Sequence, residues 1–189
     1  MVLLTFFIIL LSANLEKVGQ STAEAFSVFY EQYLPKILKY FCYRINNKIV
    51  AEDLTAAVFE KALTKYKTYS SKKAAISTWL FTIAKNTLID HYREAQREKT
   101  VQLDETLDIP HDGKTPEQAV IDEEKWQTLR KCLAGLASNE REIITLKFSS
   151  QMTNRQIAQV LGLSDSNVGV ILYRAIRRLR DDFGVWQNE

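Results

Sequence analysis

Between Ala25 and Tyr43 the apolar residues Phe26, Phe29, Tyr30, Tyr33, Leu34, Ile37, Leu38 and Phe41 return at steps of three and four. That period lines up one apolar stripe along an amphipathic helix. The chain has only 6 Gly and 3 Pro in 189 residues, whereas a sandwich or barrel spends turn residues about every 8 to 12 positions. The fold expected is therefore all-α. Pro35 interrupts the first stripe and either kinks that helix or divides it in two, because its ring removes a backbone donor and clashes with the preceding turn.

The same period predicts a second helix over residues 50–66, with Leu54, Ala57, Val58, Ala62 and Leu63 inward and Glu52, Asp53, Glu60, Lys61 and Lys65 largely outward. Residues 68–73 have turn chemistry and no apolar period, so a loop is expected before a third helix over 76–97. Further helices are expected over residues 117–133, 138–148, 154–161 and 165–181.

The formal net charge of +2 hides an uneven distribution. Residues 1–100 hold 14 basic and 9 acidic groups, residues 101–124 hold 1 and 8, and residues 125–189 hold 10 and 6. Two basic blocks flank an acidic stretch, and the average hides them. Asp104, Glu105, Asp108, Pro110, Asp112, Gly113 and Pro116 fall where apolar residues are few, so this stretch cannot bury enough surface to order itself. The expected organisation is a hydrophobic extension over 1–21, a helical domain over 22–98, an acidic linker over 99–116 and a second helical domain over 117–184.

The apolar start, Val2 to Leu11, is about ten residues, half of what a helix needs to cross roughly 30 Å of hydrocarbon. No basic residue precedes it, which argues against a secretory signal. Two readings stand, an appendage from an upstream start and a segment that touches a membrane. The two cysteines, Cys42 and Cys132, lack the close spacing of a metal site or a small disulfide framework, so two buried free thiols in a reducing compartment are expected. His91 and His111 lie in separate segments and no phosphate-cradling glycine loop occurs, so neither catalysis, a cofactor, a metal nor a small-molecule substrate is expected.

The most specific segment is 154–171, which reads as a helix-turn-helix. Ala158 lets two helices approach, Gly162 takes the turn, and Ile157, Leu161, Leu163, Val168 and Ile171 fill the wedge between them. Ser164 or Asp165 is placed to cap the second helix. In such a unit the second helix enters the major groove, so Ser166, Asn167, Gly169, Val170 and Tyr173 are candidates for base edges. Arg174, Arg177, Arg178 and Arg180 follow as candidates for phosphates or bases.

Residues 136–179, with the leading run Asn139-Glu140-Arg141-Glu142-Ile143-Ile144-Thr145-Leu146, resemble region 4 of the sigma-70 family of RNA polymerase specificity subunits. The resemblance implies a reader of the minus-thirty-five element, with Ser166, Asn167, Gly169, Val170, Tyr173, Arg174 and Arg177 as contacts. The family often carries a basic residue where this chain has Gly169, so Val170 is expected to meet a thymine methyl instead.

The run Ala51-Glu52-Asp53-Leu54-Thr55-Ala56-Ala57-Val58-Phe59 is similar to the family's region 2.2, implying that Asp53, Leu54 and Phe59 bind core polymerase; many relatives carry glutamine where Ala56 stands. Residues 77–93 resemble regions 2.3 and 2.4, implying minus-ten contacts by Trp79, Lys85, Asn86, Asp90, His91 and Arg93. Aromatic faces, amides and cations are what an unwound strand needs for stacking, edge hydrogen bonds and phosphate attraction. Trp79 also reads as a core residue with Leu80, Ile83 and Ala84, Asn86-Thr87 as a helix cap, and His91 as packing.

As a whole the chain is identified as resembling the extracytoplasmic-function group of that family. The resemblance implies core RNA polymerase, through its beta-prime and beta subunits, promoter DNA and an anti-sigma factor as partners. It implies a cytoplasmic protein, held at the membrane either by that partner or by the apolar N-terminus. The acidic linker then reads either as a tether or as carboxylates in the path of the nucleic acid. Two competing readings are a helix-turn-helix regulator that needs no polymerase and a sigma-like decoy that binds polymerase without starting transcription.

Overall fold

The computed structural model describes residues 20–45, 47–98, 127–129 and 131–186. Among them the helices are α1 (Gln20–Arg44), α2 (Lys48–Lys65), α3 (Ile76–Glu98), α4 (Ser138–Ser149), α5 (Asn154–Leu161) and α6 (Asp165–Trp186), with a 3-10 turn at Tyr66–Thr68. Residues 127–129 and 131–135 are also helical, and the described residues include no strand. The expected apolar extension up to residue 19, the acidic linker and the start of the expected helix over 117–133 lie outside the described residues. No described helix is long and apolar enough to cross a membrane. The described residues divide into two compact units, one holding residues 20–41 and 49–98, the other residues 42–45 and 47–48 with those from 127 to 186.

Pro35 does not divide α1, which runs through it. The proline and Glu31, whose carbonyl loses its helical donor, are both exposed, so water can take the orphaned oxygen. The inward face carries the helix across the gap. Phe26, Phe29, Tyr30, Tyr33, Ile37, Tyr40 and Phe41 are all buried there, each contributing about 1.5–3 kcal/mol of burial.

The first unit is organised on aromatic rings. Phe29 has its centroid 5.4 Å from Phe26, 5.0 Å from Tyr33, 6.1 Å from Phe59, 5.8 Å from Tyr66 and 6.4 Å from Trp79. One side chain of α1 thus joins α2, the turn after it and α3. A second group, Tyr40 with Phe41 at 5.2 Å and Phe81 at 5.7 Å, packs the N-terminal part of α3 against α1. The expected loop over 68–73 is a closed turn in which the Tyr69 hydroxyl donates to the Ala74 carbonyl at 3.0 Å and Lys73 N–H to Ser70 at 3.0 Å.

In the second unit α4, α5 and α6 meet pairwise around Ile143, Leu146, Ile157, Val160, Val168 and Ala175, all buried. Leu133 and Leu136 extend this core with Ile144 and Ala175, and the half-buried Tyr43, Leu172 and Ile176 pack against them. The Arg44 guanidinium meets Glu142 at 3.2 Å with both side chains nearly buried. A pair so enclosed contributes register more than net stability, because desolvation offsets its attraction, and loss of either partner strands the other charge.

Local chemistry sets the turn of the helix-turn-helix. Thr153 caps α5 by accepting from Gln156 N–H at 3.3 Å, while Gln156 Oε1 accepts from Thr153 N–H at 2.9 Å. Gly162 ends the helix in the left-handed region, φ 70° and ψ 33°, and Leu163 N–H returns to the Ala158 carbonyl at 3.0 Å. Ser164, of the two candidates, caps α6, accepting from Asn167 N–H at 3.2 Å. Of the expected wedge, Ile157 and Val168 are buried, whereas Leu161, Leu163 and Ile171 are half-buried; Ala158, at the helix approach, is buried.

Both cysteines are buried and free. Burial, then the Asp182 carboxylate, pushes the Cys132 thiol up, so it stays protonated and unreactive near neutral pH. A Cβ at Gly162 would meet nothing within 4 Å. Gly162→Ala should therefore cost only the left-handed backbone penalty, about 1–2 kcal/mol, read as a lower denaturant midpoint with an unchanged slope. An unchanged midpoint would mean that the turn is not held as described.

Candidate nucleic-acid interface

Folding sorts the expected site residues by depth. On α2, Asp53 is exposed and Leu54 half-buried, but Phe59 is 2% exposed with its ring 4.6 Å from Tyr30. Phe59 therefore cannot itself meet a partner; its ring holds α2 against α1 so that Asp53 is presented. This corrects the expectation of direct contact. The physical reason is that Phe59 belongs to the inward face of α2, with Ala51, Thr55, Val58 and Ala62, all buried.

On α3 the competing readings of Trp79 resolve by geometry. Its ring is half-buried among Phe29, Tyr66 and Tyr69, the last at 5.1 Å, so packing occupies its faces. Asn86 and Thr87 lie inside α3 and cap nothing. Asn86 and Asp90 are exposed, and Ile89 and Tyr92 are partly so. Arg93 reaches Asp90 at 3.9 Å, with 71% and 63% of the two side chains exposed, a pair worth little in water. Lys85 is half-buried, and the half-buried His91 has its ring 5.8 Å from Tyr92.

One residue on this surface escaped the sequence reading. Lys61 of α2 donates through Nζ to the hydroxyl of the buried Thr87 at 3.1 Å, beside Asn86. The sequence placed Lys61 outward, and it is exposed, but no spacing rule links positions 26 apart on different helices. Asn86 thus stands on a helix pinned to α2 by an ammonium.

On α6, Ser166, Asn167, Val170, Tyr173, Arg174 and Arg177 are exposed and Gly169 is half-buried. Val170 and Tyr173 are 49% and 69% exposed, on a helix whose other face is core. Arg178 differs from the other candidates because Glu140 of α4 holds it at 3.0 Å. Arg174 and Arg177 make no hydrogen bond or ion pair among the described residues, which leaves both guanidinium groups for an external anion.

Two helical units, one a helix-turn-helix with aromatic and cationic groups displayed on its second helix, define a nucleic-acid-binding protein. Residues 29–98 match the family model of sigma-70 region 2, and residues 126–179 that of sigma-70 region 4. The chain belongs to the sigma-70 family, within its extracytoplasmic-function group. It is 30% identical over 152 residues to RNA polymerase sigma factor YlaC of Bacillus subtilis (strain 168), covering 80% of this chain and 87% of that one. It is also 30% identical over 164 residues to ECF RNA polymerase sigma factor BldN of Streptomyces coelicolor (strain ATCC BAA-471 / A3(2) / M145), covering 87% of this chain. It spans 62% of the length of that relative.

Among solved structures, the fold is similar to the sigma factor RpoE in complex with the anti-sigma factor NepR from Bartonella quintana. The TM-score is 0.71 at 23% identity, over 86% of this chain and 98% of that one. It is likewise similar to CnrH in complex with the cytosolic domain of CnrY, with a TM-score of 0.62 at 20% identity, over 88% and 91% of the two chains. Both likenesses concern the fold.

The depths separate framework from surface in a measurable way. Trp79→Ala should lower unfolding stability by about 1–3 kcal/mol, as for a half-buried aromatic packed in a ring cluster, whereas Asn86→Ala should stay within about 0.5 kcal/mol. Denaturant titration of both variants reads this. A tolerated Trp79→Ala would return the indole to the candidate contacts.

Proposed function

We propose that this sigma factor binds core RNA polymerase through the exposed side of α2 around Asp53 and Leu54, and directs it to promoters carrying distinct minus-ten and minus-thirty-five elements. Asn86, Lys85, Asp90, His91 and Arg93 face the unwound minus-ten strand; Ser166, Asn167, Val170, Tyr173, Arg174 and Arg177 face the minus-thirty-five duplex. The first domain comprises residues 22–98 and the second 117–184, joined by an acidic segment. The observation that carries the reading is the display of Tyr173 and two guanidinium groups, Arg174 and Arg177, on the outer side of a helix-turn-helix.

The division of labour is physical. Duplex DNA offers phosphates and groove edges to a rigid helix, whereas melted DNA offers unstacked bases to amides and cations. Phosphodiester chemistry belongs to the polymerase, and this chain contributes binding energy that differs between duplex and open DNA. Its place of action is the cytoplasm, and the anti-sigma complexes named for the related structures support a protein inhibitor as a further partner.

Run-off transcription with purified core polymerase tests the reading. The chain should form a 1:1 complex with core and initiate at sites sharing two upstream elements. Failure to bind core, with a two-fold footprint made by the chain alone, would point to a dimeric regulator. Arg174→Ala should weaken binding to the minus-thirty-five element and flatten its dependence on log salt by about 0.9 if one phosphate contact is lost. Asn86→Ala should reduce open-complex yield on duplex promoter while core binding stays unchanged.

A further inference from the structure

Gly169 leaves a gap on the outer stripe of α6, three positions after Ser166 and four before Tyr173. A Cβ there would sit 3.7 Å from Nδ2 of Asn154, the first residue of α5. The carboxamide of Asn154 therefore borders the space where a side chain of residue 169 would begin. Its orientation follows from Lys147 of α4, whose Nζ donates to Asn154 Oδ1 at 3.1 Å. An ammonium only donates, so the amide oxygen faces it and the amide nitrogen, with its donors, borders the gap. Those donors make no hydrogen bond among the described residues.

From this geometry we infer that Asn154 is a further DNA-binding residue, donating through Nδ2 to a phosphate oxygen of the minus-thirty-five duplex, with Lys147 as its positioning residue. The acceptor is an anion because two positive fields converge here, the Lys147 ammonium and the N-terminal end of α5. The groove geometry agrees, since the first helix of a helix-turn-helix crosses the DNA backbone while the second enters the groove. Asn154 thus takes over from α5 a contact that Gly169 cannot make from α6. The inference rests on reading α6 as the groove helix.

The test uses holoenzyme assembled from the full chain and core polymerase. The probe is a duplex pool randomised in the minus-thirty-five element and drawn from a promoter active in run-off transcription. Total binding and the sequences of bound and unbound DNA are both read. Asn154→Ala should weaken binding roughly tenfold, the loss of one hydrogen bond to a charged group, evenly across the pool. Asn154→Asp keeps the shape and the Lys147 contact but has no donor and adds repulsion, so it should weaken binding more. Lys147→Met should cost less in the Asn154→Ala background than in the native one, and Lys147→Arg should retain binding. Adding Gly169→Lys to Asn154→Ala should restore affinity.

Arg174→Ala separates the failures. If it weakens binding while both Asn154 variants are silent, the Asn154 assignment is wrong and α6 remains the groove helix. If all three are silent, the groove assignment itself fails and carries this one with it. A loss confined to particular bases would overturn the phosphate assignment in favour of a base edge, and equal Lys147→Met losses in both backgrounds would overturn the positioning role.

Discussion

Both units depend on the same constraint: a few helices share an apolar centre so small that one misplaced side chain exposes it. In the first unit Phe29 is that centre, touching rings from α1, α2, the turn at Tyr66 and α3. In the second, Val168 and Ala175 of α6 are fully buried among residues of α4 and α5. Because the inward positions are committed to packing, each helix has only its outer stripe left for recognition. Small domains bury a modest share of their surface, so neither unit has core to spare for a functional group.

That division explains why aromatic residues play two opposite parts in this chain. Trp79 and Phe59 lie within ring clusters, where their area stabilises the unit. Tyr173 lies on an outer stripe, where its ring is left to solvent and contributes little to the unit's core. Cations divide in the same manner. Arg44 and Arg178 are engaged by Glu142 and Glu140, whereas Arg174 and Arg177 point to no described acid. A basic residue in a helix is therefore not by itself a nucleic-acid contact; its partner within the fold decides.

Polar hydrogen bonds between helices connect framework to function. Lys61 to Thr87 ties α2, which presents Asp53, to the stretch of α3 that presents Asn86. Lys147 to Asn154 ties α4 to the start of α5 and aims an amide toward α6. Both bonds use an ammonium on a long stem to reach a small polar group on another helix, an arrangement that fixes direction at little cost in buried volume. Orientation of this kind is what a reader of DNA needs, since a donor displaced by an ångström misses its acceptor.

Much of the fold was legible in the residues alone because its signals are local. The three- and four-residue period marks α1 and α2, the paucity of glycine and proline argues against a β architecture, and Ala158, Gly162 and Val168 at their offsets mark the helix-turn-helix. Pro35 was ambiguous, since the sequence cannot say which side of a helix faces water; exposure of the proline allowed α1 to continue. Depth was the other quantity that only tertiary structure decided. Phe59 and Asp53 belong to one motif, yet packing against Tyr30 took the first inside and left the second out. The Lys61–Thr87 and Lys147–Asn154 bonds and the Arg178–Glu140 pair join residues of different helices, and no period along one helix encodes which faces of two helices will meet. The sequence by itself determined where helices start, stop and turn, because caps and periodicity act within a few residues; tertiary packing decided which side chains remain for DNA, because burial depends on partners distant in the chain.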